Sequence, residues 1–211
     1  MKNNSTKLNT MVKISFLSAA AMVLMTIDFP LPIFPAFLKI DLSDIPALVG
    51  AFTLGPVSGV IIEFIKVFLY AFIKGTSTAL VGETANFLVG GSMVLVAGLI
   101  HERTRSKKGA VYGLVAGSIT MTVVAALANY FFMIPAYIKF MGLTLDMIVG
   151  MGTAVNSNIT DLTSLVVWGI TPFNLFKCFL VSTVTVVLYS KIVPILSKES
   201  ADKSKEIHQG I

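Results

Sequence analysis

Apolar residues fall into five long runs with short polar punctuation between them. The first extends from about Ile14 to Asp28 and ends at Pro30, Pro32 and Pro35, where a regular helix cannot continue. The second, Ile45 to Ile73, is interrupted by Gly55-Pro56. The third is Thr84 to Ile100, and the fourth, Ala110 to Tyr137, carries no charge. The fifth, about Thr171 to Leu196, is apolar except for Lys177 and Lys191. A membrane-spanning helix needs about 20 mostly apolar residues. At about 1.5 Å per residue, the second run is long for one untilted span and short for two.

Loop charge resolves that ambiguity. Lys2, Lys7 and Lys13 precede the first run, and Arg103, Arg105, Lys107 and Lys108 come after the third. Lys198, Lys203 and Lys205 lie in the tail, so these segments hold ten of the sixteen basic residues. Positive charge favours the cytoplasmic side, so an even number of crossings must separate each pair of segments. The second run is then two helices with a turn at Gly55-Pro56. The expected fold is an all-α membrane protein of six helices, both termini cytoplasmic. Residues 1–196 form one transmembrane domain and 197–211 a polar cytoplasmic tail. The outer loops lie near residues 30–43, 74–82 and 138–170.

Composition agrees with a chain solvated by lipid. Hydrophobic residues make up 55% and charged residues 13%, against about 25% charged in soluble domains. The mean hydropathy is +0.85. The net charge of +5 does not indicate nucleic acid, because the basic residues sit between apolar runs as topology signals. A cleaved leader is the competing reading of the basic, apolar N-terminus, but it lacks a clear A-x-A site. Cys178 is the only cysteine and has no internal disulfide partner.

Catalytic motifs are missing. The chain has no G-x-x-x-x-G-K-[ST], no H-E-x-x-H and no G-x-S-x-G. His101 and His208 fall in the expected cytoplasmic loop and tail. Asp28, Glu63 and Glu83 are scattered without motif spacing. No internal repeat divides the chain, which argues against an inverted-repeat transporter. Metal-dependent and serine-type hydrolysis therefore lack their residues, and no metal or cofactor is expected. A carboxylate enzyme stays open beside the favoured reading of a binding protein without catalysis.

Polar groups at membrane depth are costly, so each is a candidate site residue. Asn174 and Lys177 are three apart on the last helix and share a face. Pro172 suits that helix's first turn, which puts both residues near its outer start. An amide beside an ammonium suits a polar heteroaromatic ligand; the alternative is that Lys177 snorkels to the interface. Asn129 is either a ligand contact or interhelical glue. Glu83 and Asn86 open the fourth helix. Glu83 also fits a first-turn partner of the helix dipole, and Asn86 is the deeper candidate. Glu63 and Lys66, at i and i+3, read as a mutually neutralising pair. Asp41 and Asp44 read as helix caps.

The segment Phe29–Ile40 combines three prolines with three aromatics, a stiff apolar flap able to cover a ligand; an interfacial aromatic belt is its alternative reading. Ser15 and Ala19, four apart on the first helix, offer a small face for close packing. It serves either another subunit or the bundle itself.

Several segments together resemble the substrate-binding S components of energy-coupling factor transporters. They are Phe37-Leu38-Lys39-Ile40-Asp41-Leu42-Ser43-Asp44-Ile45-Pro46, the Gly55-Pro56 turn, Gly82-Glu83-Thr84-Ala85-Asn86-Phe87, the Asn129 helix, and Thr171-Pro172-Phe173-Asn174-Leu175-Phe176-Lys177. The resemblance covers about residues 10–196, and the last motif is similar to the riboflavin-specific branch. It implies a six-helix subunit of the bacterial cell membrane. Such a subunit binds a vitamin outside, riboflavin first and thiamin or biotin as alternatives. It joins a transmembrane coupling protein and two ATPase subunits, whose ATP hydrolysis drives release inside. It further implies Asn129, Asn174 and Lys177 as polar ligand contacts, with Glu83, Asn86, Leu80, Phe37 and Leu38 nearby. The coupling protein would dock on Ser15 and Ala19.

Overall fold

The computed structural model describes residues 2–209, with side chains described for residues 7–191. The polar side chains expected in the tail, from Ser197 on, lie outside that range. Among the described residues, five helices are long and apolar enough to cross a membrane: Lys7–Met25, Pro56–Lys74, Val81–Thr104, Lys107–Met141 and Leu162–Lys191. A shorter apolar helix, Asp44–Leu54, is the sixth member of the bundle.

Helix α1 (Lys2–Met25) leads into a minimal hairpin, β1 (Phe29–Pro30) antiparallel to β2 (Lys39–Ile40), with Phe29 opposite Ile40. The proline-rich flap is therefore a folded hairpin. Lys39 closes its open end on Asp28 at 2.8 Å, and this bond raises the Lys39 ammonium above its ordinary pKa.

The second apolar run divides where its residues require. Helix α2 (Asp44–Leu54) ends at Gly55, whose φ of 102° suits glycine, and α3 (Pro56–Lys74) begins with proline in its first turn. With 11 residues, α2 is only about 16 Å long. It is nevertheless buried through most of its length, from Asp44 to Phe52.

Helices α4 (Val81–Thr104) and α5 (Lys107–Ala128) form the most extensive contact in the bundle. Small residues make it possible. A Cβ on Gly113 would stand 2.6 Å from the Ala97 carbonyl oxygen, and one on Gly117 would stand 2.8 Å from that of Met93.

Helix α5 continues through a π turn, Asn129–Met133, into α6 (Ile134–Met141). After α7 (Leu145–Thr153), the last helical run opens at α8 (Leu162–Leu165), passes a second π turn at Val166–Ile170 and becomes α9 (Thr171–Gln209). The two π turns touch each other. This corrects the expected last helix. It starts at Leu162, nine residues before Thr171, and part of the supposed 138–170 loop is helical. Pro172 marks no helix start. It comes just after a widened turn that accommodates a residue lacking an N–H. Pro135 stands in the same relation to the first π turn.

Candidate functional site

The cavity forms at the hairpin end of the bundle, opposite the Arg103–Lys108 end. Its volume is about 490 Å³, within the roughly 300–1,000 Å³ typical of small-molecule sites. Phe37, Leu38 and Lys39 come from the hairpin, and Glu83, Ala85, Asn86 and Val89 from the first turns of α4. Met121 and Ala125 come from the end of α5, Asn129 from the π turn that follows it, and Phe173, Asn174 and Lys177 from α9. The walls are largely apolar, with polar groups converging from separate helices.

Asn129 donates Nδ2 to the Ala125 carbonyl at 2.9 Å, and Asn174 donates Nδ2 to the Ile170 carbonyl at 2.8 Å. Each amide is fixed on its own helix beside a π turn. Asn86 Oδ1 is buried without a hydrogen-bond partner among the described residues.

Glu83 does more than face the helix dipole. Its Oε2 accepts from the hydroxyls of Thr76 and Thr78 at 3.1 and 2.7 Å. Those hydroxyls in turn accept from the backbone N–H groups of Leu80 and Gly82. The carboxylate thus holds the loop in which Ala79 and Leu80 adopt positive φ. Leu80 itself is 52% exposed, next to the cavity and not among its lining residues.

Lys177 is 6% exposed. The later start of its helix places it about four turns in, counted from Leu162, where snorkelling would be far from the helix end. Its ammonium donates to Asp41 Oδ2 at 3.0 Å and lies 3.2 Å from Asp44 Oδ2. Lys66 bonds Asp44 Oδ1 at 2.9 Å and also pairs with Glu63. One expectation therefore changes. Asp41 and Asp44 do not cap α2, because both carboxylates serve buried ammonium groups. The expected Glu63–Lys66 pair is present, and it forms one end of a five-membered ionic chain. Gly90 makes room for it, since a Cβ there would sit 2.9 Å from Asp44 Oδ1.

On α1, Ser15 and Ala19 point away from the bundle and are exposed, while Ser18 and Ala21 are buried. Tyr70 and Tyr137 border the cavity and were missed in the sequence. Only helix-face assignment would have found them.

Residues 9–189 match the family described as ECF transporter, substrate-specific component, and the chain belongs to that family. A solved structure reported as the S component of a bacterial ECF transporter aligns with a TM-score of 0.70 and 34% identity. The alignment covers 90% of this chain and 98% of that one. Among curated relatives, the riboflavin transporter RibU of Staphylococcus aureus (strain TCH60) is 37% identical over 93% of this chain and 97% of its own. The riboflavin transporter FmnP of Bacillus subtilis (strain 168) is 32% identical over 96% of this chain and 100% of its own. Both relatives' names specify riboflavin.

Proposed function

We propose that this protein is the riboflavin-capturing S component of an energy-coupling factor transporter in a bacterial cell membrane. The observation that carries this reading is the cavity at the hairpin end, where Asn129, Asn174 and Lys177 meet between apolar walls. A flat ring loses water-exposed apolar surface there, at about 25 cal/mol per Å². The amides and the ammonium satisfy its polar edge, and an analogue without that edge leaves them unpaired. Asn86 lines the same cavity from α4.

The clustered Lys and Arg residues support cytoplasmic termini and an extracellular hairpin. The match to the substrate-specific component family supports release inside driven by a transmembrane coupling protein and ATPase subunits, two in the expected assembly. Riboflavin is cargo here, bound and passed on unchanged.

The test is direct. Protein purified from cells supplied with riboflavin is expected to be yellow and to release a fluorescent flavin on denaturation. Replacing Lys177 by Ala is expected to weaken binding by about tenfold or more, the cost of leaving polar groups unpaired. Colourless protein that ignores added riboflavin overturns the reading.

A further inference from the structure

The lysine in the cavity wall is already engaged by two carboxylates from one short segment, the junction of β2 and α2. Asp41 takes the Lys177 hydrogen bond on Oδ2. Its Oδ1 accepts the Ser43 backbone N–H at 2.9 Å and the Ser43 hydroxyl. The carboxylate cannot swing away without losing that local turn. Asp44 lies 3.2 Å from Lys177 on one oxygen and receives Lys66 on the other. Asp41, Asp44, Glu63, Lys66 and Lys177 are all at least nine-tenths buried. Of the five, Asp41 and Lys177 border the cavity.

An ammonium has three donors, and the hydrogen bond to Asp41 uses one. Without its carboxylates, a lysine at this depth would extend its flexible stem toward water. With them, its position and direction are fixed and its charge is balanced. We infer that Asp41 and Asp44 are positioning residues of the binding site: they hold the Lys177 ammonium in the cavity wall with a donor free for a neutral acceptor on the ligand. Asp41 directly succeeds Ile40 of β2, so the same ion pair ties the hairpin to α9. The inference rests on the riboflavin reading only for the choice of probe.

The experiment is a double-mutant cycle on the full-length protein, with riboflavin as probe and quenching of its fluorescence as readout. Asp41→Asn keeps the shape and removes the charge; Lys177→Met removes the ammonium. Each is expected to raise Kd by about tenfold. The double variant should be within about threefold of the worse single variant, because both act through one contact. Multiplying effects, or wild-type Kd in Asp41→Asn, overturn the inference.

A second readout needs no ligand. A nitroxide on Ile33→Cys, a position 69% exposed in the hairpin, in a Cys178→Ser background, should become more mobile in Asp41→Asn and in Lys177→Met. Unchanged mobility in both overturns the tie between hairpin and α9. If wild-type protein fails to bind riboflavin, the substrate reading falls, and the label alone judges the positioning role. Should Asp41→Asn fail to fold, Asp41→Glu replaces it. Its longer carboxylate displaces the ammonium, and a Kd raised about three- to tenfold is expected; wild-type Kd there also overturns the inference.

Discussion

Phe34 stands edge-on to Phe173, with ring centroids 5.4 Å apart and planes at 84°. The same ring meets Phe176 at 6.2 Å. The tip of the hairpin is thereby seated on α9 immediately beside Asn174, and Phe173 is itself part of the cavity wall. The hairpin is consequently held at two points, by aromatic packing at its tip and by the Asp41–Lys177 pair at its base.

Loss of the tip contact should act mainly on escape of the ligand. An aromatic pair contributes about 0.5–1.5 kcal/mol beyond the area it buries. Phe34→Ala is expected to raise the riboflavin dissociation rate about three- to tenfold. The association rate should change much less. Stopped-flow fluorescence measures both, and an unchanged dissociation rate in Phe34→Ala with Phe37→Ala would remove the hairpin from the binding step.

The π turn before Pro172 gives a prediction in which stability and affinity separate. In a regular helix the Pro172 ring would clash with the carbonyl four residues earlier, that of Trp168. The widened Val166–Ile170 turn relieves that clash and sets the direction of Phe173, Asn174 and Lys177. Pro172→Ala restores an N–H and lets the turn tighten. One residue of register rotates the remainder of the helix by about 100°. Affinity for riboflavin is expected to fall while the melting temperature holds or rises. A loss of both in parallel would mean that the turn is structural only.

The hydropathy pattern revealed the bundle, because lipid enforces long apolar runs, and the Gly55-Pro56 break was legible from local chemistry. Asn129, Asn174 and Lys177 stood out for the same reason, as polar groups at a depth where they are costly. The ionic chain was not legible. Lys177 and Asp41 are 136 residues apart, and nothing local distinguishes an aspartate that caps a helix from one that grips a distant lysine. The start of the last helix was misplaced because proline usually opens a helix, whereas a π turn lets a helix run through one. The link from Glu83 to Thr76 and Thr78 spans only a few residues, but it depends on a positive-φ loop that composition does not reveal.

The α4–α5 contact predicts a stability effect far from the cavity. Any side chain at Gly113 would press its Cβ to 2.6 Å from the Ala97 carbonyl oxygen, a backbone atom that cannot rotate aside. Gly113→Val should cost about 1–3 kcal/mol by overpacking. At about 2–4 °C per kcal/mol for a chain of this size, the melting temperature should fall by roughly 2–12 °C. Thermal unfolding tracked by tryptophan or flavin fluorescence tests this, and an unchanged midpoint would show that the two helices leave room for a side chain here.

The exposed small face of α1 gives a variant in which capture and transport are expected to separate. Ser15 and Ala19 lie on the outward side of the helix, while Ser18 and Ala21 pack inward. Enlarging the outward pair therefore leaves the bundle core untouched. A large side chain there blocks only a partner helix that approaches closely, as small-residue faces allow. Ser15→Leu with Ala19→Leu is expected to leave riboflavin affinity of the isolated protein within about twofold, since surface changes are usually small. Cellular riboflavin uptake and co-purification with the coupling protein should both fall sharply. Normal uptake in this variant would place the docking face elsewhere on the bundle, and weakened binding by the isolated protein would show that α1 supports the cavity itself.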